Sequence, residues 1–77
     1  MTDFEKVEAV LRKLLPEGTF IDMNRRLRED LGLSSLKLIE LTVQLHQLHG
    51  IDLGKKVVKY KKSPVTVEDL VKIMGMP

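Results

Sequence analysis

The chain has 77 residues, of which 43% are apolar and 31% charged, and its formal net charge is +2 at pH 7. This composition is typical of a soluble helical domain and excludes a disordered chain. A chain of this length has room for one small core, so a single domain over residues 1–77 is predicted. It leaves no room for a buried substrate cleft with a scaffold around it, which argues against a free-standing enzyme.

The cysteine content and the N-terminus bear on the location of the protein. The chain has no cysteine, which excludes disulfides and thiolate chemistry and is compatible with a reducing compartment. Residues 1–5 lack the basic and apolar regions of a signal peptide, and no apolar run is long enough to span a membrane. We therefore expect a cytoplasmic protein without stable membrane insertion.

The first half of the chain predicts one helix followed by a long connection. Residues 2–15 carry apolar side chains at helical spacing, and Thr2 with Glu5 forms a capping-box pattern at their start. Residues 16–34 form the connection, whose apolar side chains are expected to pack onto the domain. These side chains are Phe20, Ile21, Met23, Leu27, Leu31 and Leu33.

The second half of the chain predicts two further helices. The first of them covers residues 35–49, and residues 51–65 are irregular with one possible short helix at 55–60. The last helix is capped by Thr66, with Asp69 three residues on, and ends before a glycine. The predicted fold class is therefore all-α, a small bundle of three main helices plus a possible short helix, with a long loop between the first two.

The helix predicted over residues 35–49 has two apolar faces, although a helix in so small a domain needs only one to reach the core. The first face consists of Leu38, Leu41, Leu45 and Leu48. The second consists of Leu36, Ile39 and Val43, flanked by Lys37, Glu40 and Gln47. We expect the second face to be partly exposed as a contact surface. Alternatively, the other helices and the long loop bury both faces.

A pair of serines stands at the start of this helix, after the glycine-containing turn Asp30-Leu31-Gly32-Leu33. Ser34 can cap the helix, and an anion attached to Ser35 lies where free N–H groups and the helix dipole favour negative charge. A nucleophilic serine needs an adjacent base. The nearest downstream histidine, His46, lies roughly 16 Å along the helix, which excludes a Ser–His pair there. Ser35 is thus suited to modification by another protein, unless both serines serve only as helix caps.

The motif D-L-G-L-S-S-L, together with the order of the helices, resembles an acyl carrier protein, and peptidyl carrier domains share the same plan. In that family the motif is typically D-x-G-x-D-S-L, and its serine carries 4′-phosphopantetheine. The resemblance places the attachment on Ser35, with Asp30, Gly32 and Leu36 matching. It implies a carrier without catalytic activity that holds a fatty, polyketide or aminoacyl-type group as a thioester, and our default expectation is a monomer. The implied partners are a phosphopantetheinyl transferase and the enzymes that load and transfer the acyl group.

Four positions depart from the family pattern. Ser34 stands where an aspartate is usual, and Lys37 stands where an acidic residue is common. His46 and Gln47 stand where two glutamates are common. Glu40, by contrast, matches the family pattern. Because charge complementarity governs the choice of partner, we expect a specialised carrier serving one pathway, such as a secondary-metabolic one. The predicted recognition surface consists of Ser34, Leu36, Lys37, Ile39, Glu40, Val43 and Gln47.

A cluster of lysines follows the second predicted helix. It consists of Lys55, Lys56, Lys59, Lys61 and Lys62. The cluster is either a solvated face or a basic surface for an acidic partner, for coenzyme A phosphates or for lipid headgroups. A nucleic-acid binder is a weaker alternative because Tyr60 alone offers little stacking capacity, so no nucleic acid is expected as a partner. A further alternative is a carrier-like docking module that is never modified.

No metal site is predicted. His46 and His49 lie three residues apart on the same helix, a spacing that can bind a metal ion. However, no cysteine, aspartate or glutamate completes a site on that turn. We therefore expect the two histidines to be structural or surface residues.

Overall fold

The computed structural model of the protein describes all 77 residues and contains four α-helices. They are α1 (Asp3–Leu14), α2 (Ser35–His49), α3 (Leu53–Tyr60) and α4 (Val67–Met74). There is no strand, only an isolated antiparallel bridge between Arg26 and Thr66. The all-α prediction is confirmed, and the possible short helix is present as α3. No helix has the length and hydropathy needed to cross a membrane.

Reciprocal hydrogen bonds fix the starts of α1 and α4. At α1 the hydroxyl of Thr2 accepts the N–H of Glu5 at 3.1 Å, and the Glu5 carboxylate accepts the N–H of Thr2 at 2.9 Å. Thr66 and Asp69 form the same capping box at α4. These boxes use short-range sequence signals, which is why both helix starts could be predicted.

The third helix is longer than the predicted short helix at residues 55–60. It begins at Leu53 because the Asp52 side chain caps it, accepting the N–H of Lys55 at 3.0 Å. It ends at Tyr60 and is followed by the C-cap Lys61, which lies in the left-handed region with a φ of 53°. Leu53 is buried, so the two extra residues at the start of the helix add one side chain to the core.

One core of 14 buried apolar side chains holds the helices together, and no polar side chain is buried. The helices contribute Val7, Val10, Leu11, Leu41, Leu45, Leu53, Val67, Leu70, Ile73 and Met74. The long loop between α1 and α2 contributes Ile21, Leu27, Leu31 and Leu33. The expectation that this loop packs onto the domain is therefore confirmed for these four residues.

Phe20 is an exception in that loop. Its side chain is 59% exposed, so its prediction as a packed residue is wrong. The neighbouring Ile21 fills the core instead, which leaves the aromatic ring at the surface. The guanidinium of Arg25 lies 4.9 Å from the ring centroid, a cation–π contact that covers one face of the ring.

The two apolar faces of α2 have different environments. On the first face Leu41 and Leu45 are buried, but Leu48 is 53% exposed, so its prediction as a core residue is wrong. Leu48 lies about 60° round the helix from Leu45, in the last turn before the chain reverses at Gly50 with a φ of 68°. The second face is exposed as predicted and is not covered by the loop. Its exposed fractions are 65% for Leu36, 60% for Ile39 and 45% for Val43.

Thr66→Ala is expected to lower the free energy of unfolding by about 1 kcal/mol, because the N–H of Asp69 loses its hydroxyl acceptor. Urea denaturation followed by circular dichroism measures the change. The matched control is Ser63→Ala, which removes an exposed hydroxyl from the preceding loop and should cost less than about 0.5 kcal/mol. Equal losses in the two variants would contradict the role of the cap.

Candidate functional site

The turn before α2 is held closed by Asp30. Its carboxylate accepts the backbone N–H of Arg26 at 2.8 Å and the side chain of Arg26 at 3.3 Å. The N–H of Leu33 donates to the carbonyl of Leu27 at 3.1 Å. Leu31 and Leu33 are buried, so the turn is closed by hydrogen bonds and anchored in the core by two leucines.

Gly32 lies between these leucines with a φ of 69°. A residue with a side chain is strained in this left-handed region, whereas glycine adopts it readily. A Cβ atom at Gly32 would meet nothing within 4 Å, so the need for glycine is conformational and not steric. The glycine of the motif thus serves the backbone path that leads to the two serines.

The two serines divide the tasks at the start of α2. Ser34 is the N-cap, and its hydroxyl accepts the N–H of Lys37 at 3.2 Å. Ser35 is the first residue of the helix and is exposed. Its hydroxyl takes no part in capping and instead accepts a hydrogen bond from Nη2 of Arg28 at 3.1 Å. The Ser35 oxygen is therefore at the surface and independent of the helix backbone.

No base accompanies the Ser35 hydroxyl. Its hydrogen-bond partner, Arg28, is a cation that cannot accept a proton. His46 and His49 lie in the last turn of α2, at the opposite end of the helix. No group of three or more metal-ligating side chains is assembled anywhere in the chain. Ser35 thus lacks the partners of a catalytic nucleophile.

Sequence reasoning missed Arg28. It lies seven residues before Ser35, across an irregular turn, where no helical or strand periodicity relates two side chains. Arg28 can be identified as a neighbour of Ser35 only when the three-dimensional path of the turn is known. The only signal in the sequence was its place among three arginines within four residues, Arg25, Arg26 and Arg28.

An open cleft of about 360 Å³ lies between α2, α3 and the loop that carries Arg28. The wall on the α2 side includes Leu38 and Thr42, whose hydroxyl donates to the carbonyl of Leu38 at 3.0 Å. The other apolar lining residues are Leu27, Leu41, Leu53, Val57 and Leu70. Because Arg28 lines the cleft and also contacts Ser35, the cleft and the exposed hydroxyl are neighbouring features of one surface.

The other residues of the predicted recognition surface lie along α2. Lys37 and Glu40 form an ion pair at 3.7 Å, which leaves this stretch of the helix with little net charge. Ser34 and Gln47 are exposed at its two ends. Together with the exposed apolar face, these residues form a mainly apolar surface that begins beside Ser35.

The lysine cluster does not form one uniform surface. Lys56 is half-buried, and its Nζ donates to the carbonyl of Met74 at 2.6 Å, at the end of α4. There its charge opposes the negative end of the helix dipole. The other four lysines are exposed, and they are Lys55, Lys59, Lys61 and Lys62.

Comparisons with known proteins identify the family to which the chain belongs. Residues 5–72 match the family described as "Phosphopantetheine attachment site". The chain is also 32% identical over 69 residues to an acyl carrier protein of Onion yellows phytoplasma (strain OY-M), covering 88% of this chain and 87% of that protein. No solved structure gives a significant match. The chain therefore belongs to the acyl carrier family, whose cofactor is 4′-phosphopantetheine.

The start of α2 fits this cofactor. Phosphopantetheine is joined to its carrier through a phosphodiester, which is an anion. The exposed hydroxyl of Ser35 stands at the positive end of α2, and no carboxylate lies in the first turn of that helix. The guanidinium of Arg28 adds a second positive group beside the same oxygen.

Asp30 is expected to make stability depend on pH. The Arg26 side chain, followed by the Arg26 backbone N–H, holds the pKa of the Asp30 carboxyl below its ordinary value of 3.8. A carboxyl whose pKa is lowered on folding stabilises the folded state above its ordinary pKa, and this stabilisation is lost as pH falls through the lowered value. Asp30→Asn should therefore lower the free energy of unfolding at neutral pH, and its difference from the wild type should shrink below about pH 4.

Urea denaturation at a series of pH values measures this dependence. The control is Glu17→Gln, which removes an exposed carboxylate of the same loop that forms no ion pair. A gap between Asp30→Asn and the wild type that stays constant down to about pH 2.5 would contradict the role of the Asp30 charge.

Proposed function

We propose that the protein, as a single domain over residues 1–77, is a discrete acyl carrier whose phosphopantetheine is attached to Ser35. The observation that carries the proposal is the exposed Ser35 hydroxyl at the start of α2, without a base of its own. A carrier of this kind performs no reaction itself. It presents an acyl group, held as a thioester on the arm, to enzymes that load, extend or transfer it.

The loading step requires a transferase. Ser35 Oγ forms a bond to phosphorus while the pyrophosphate bond of coenzyme A breaks and the nucleotide part leaves with its phosphate. The hydroxyl proton passes to a base of the transferase, since Arg28 cannot accept it. Ser34 keeps the helix capped, which holds the Ser35 oxygen in place.

The cleft beside Ser35 supports an apolar cargo. Its volume of about 360 Å³ and its six apolar lining residues suit a hydrocarbon chain of modest length better than a polar group. A fatty or reduced polyketide chain therefore fits better than an aminoacyl group. Thr42 and Ser63 also line the cleft, but the Thr42 hydroxyl already donates to the carbonyl of Leu38.

Partner enzymes are proposed to dock on the exposed face of α2. Leu36, Ile39 and Val43 give an apolar contact that starts next to the attachment site. The formal charge of +2 suits enzymes that do not depend on an acidic carrier, which favours a specialised pathway. The four exposed lysines after Asp52 supply a second, basic contact for an acidic partner.

The proposal includes a monomeric protein in the cytoplasm, where a cysteine-free chain needs no oxidising compartment. It includes no nucleic acid, no stable membrane insertion and no metal ion as partner. Two other functions remain outcomes of the tests: an unmodified docking module, and a basic nucleic-acid binder whose retention on DNA or RNA falls steeply with salt.

Incubation with coenzyme A, Mg²⁺ and a broad-specificity transferase is expected to add one phosphopantetheine group, seen by intact mass. Ser35→Ala should abolish the increment. Ser34→Ala is the matched control: it loses the cap but keeps the Ser35 hydroxyl, so it should still be modified. A folded wild-type protein without any increment would leave only a docking role, and an increment that persists in Ser35→Ala would place the site elsewhere.

Ile39→Ala is expected to lower kcat/KM for loading by the transferase at least about fivefold, the loss typical of an important interface side chain. The matched control is Leu48→Ala, an exposed leucine on the same helix, about 180° round the axis from Ile39. Initial rates over a range of carrier concentrations separate the two variants. The docking face is refuted if both variants react like the wild type, or if both are impaired equally.

A further inference from the structure

Arg28 is the one arginine of the chain that pairs with neither a carboxylate nor an aromatic ring. The other three, Arg12, Arg25 and Arg26, are each engaged with such a partner. Arg28 is exposed, and its Nη2 donates only to the Ser35 hydroxyl, at 3.1 Å. A surface hydrogen bond to a neutral hydroxyl adds little to stability. The position of this guanidinium is thus not explained by the fold.

The geometry of the contact suits a phosphodiester better than a hydroxyl. A phosphorus bonded to Ser35 Oγ places its two free oxygens two bonds from Oγ, which is within hydrogen-bond reach of an Nη2 that lies 3.1 Å from the same Oγ. A guanidinium has five N–H donors in a planar fork, and one of those of Arg28 is in use. Phosphate oxygens match that fork in charge and in spacing.

The local charges leave Arg28 free for such an anion. The N-cap of α2 is the neutral Ser34, and the first turn of α2 contains no acid. Lys37 in that turn is already paired with Glu40 at 3.7 Å. The two carboxylates of the preceding turn are both held by Arg26. No carboxylate of the chain therefore competes for the Arg28 guanidinium.

We infer that Arg28 binds the phosphodiester formed on Ser35 and fixes the direction in which the arm leaves the protein. This inference rests on the proposed attachment at Ser35. Because Arg28 also lines the apolar cleft with Leu38, its ion pair holds the first bonds of the arm on the cleft side of α2. Arg28 thereby connects the attachment of the arm at Ser35 with the entry of the acyl group into the cleft.

Phosphorus NMR of the modified protein tests the contact. Loading is first checked by intact mass, so that every spectrum comes from a singly modified chain. The wild-type phosphodiester resonance should differ from that of the same protein unfolded in urea. Arg28→Gln should shift it most of the way to the unfolded position, and Arg28→Lys should restore part of the difference. Added salt should move the wild-type resonance in the same direction as Arg28→Gln.

Thermal unfolding gives a second measurement. The rise in Tm on modification should be larger for the wild type than for Arg28→Gln by about 2–4 °C. The matched control is Arg25→Gln, which removes the same charge from the same loop but at the Phe20 ring. It should leave both the resonance and the rise in Tm as in the wild type.

The outcomes separate this inference from the proposed function. If the wild type is modified but Arg28→Gln leaves the resonance and the rise in Tm unchanged, the role of Arg28 is overturned while attachment at Ser35 stands. If Arg25→Gln has the same effect as Arg28→Gln, the effect is one of general charge and the specific contact is refuted. If the wild type takes up no phosphopantetheine on Ser35, the proposed function and this inference both fail.

Discussion

The carboxylate of Asp30 is the contact on which the rest of the site depends. By accepting from the backbone and the side chain of Arg26, it closes the turn before α2. The closed turn directs Leu31 and Leu33 into the core, so that Ser34 reaches the cap position and Ser35 the surface. The hydroxyl is therefore placed by the core and not by its own hydrogen bonds.

The helices could be predicted because their signals are short-range. Both capping boxes and the range of α2, Ser35–His49, follow from neighbouring residues, and the exposed second face of α2 follows from its surplus of apolar residues. Phe20, Leu48 and Arg28 could not be placed, because their surroundings depend on how the loop and the helices pack. The motif around Ser35 could be recognised in the sequence because the tight turn requires a glycine and the helix requires a cap. The cleft could not be predicted, because its walls come from segments that are distant in the sequence.

The docking face proposed on α2 offers a partner apolar area more than charge. The opposite charges of Lys37 and Glu40 neutralise each other, and the apolar face of α2 lies beside this ion pair. Apolar contacts act only at short range, whereas charged surfaces also steer encounter from a distance. The proposed docking face is therefore expected to affect the rate at which the complex dissociates more than the rate at which it forms.

The hydrogen bond from Lys56 to the carbonyl of Met74 has a mechanical consequence for the cleft. It ties α3 to the end of α4, and both helices supply side chains to the wall opposite α2. Moving α3 away from the cleft would break this hydrogen bond, at a cost of about 1–3 kcal/mol, so a bulkier occupant is expected to meet resistance from α4 as well as from α3. The width of the cleft therefore depends in part on a lysine that does not line it.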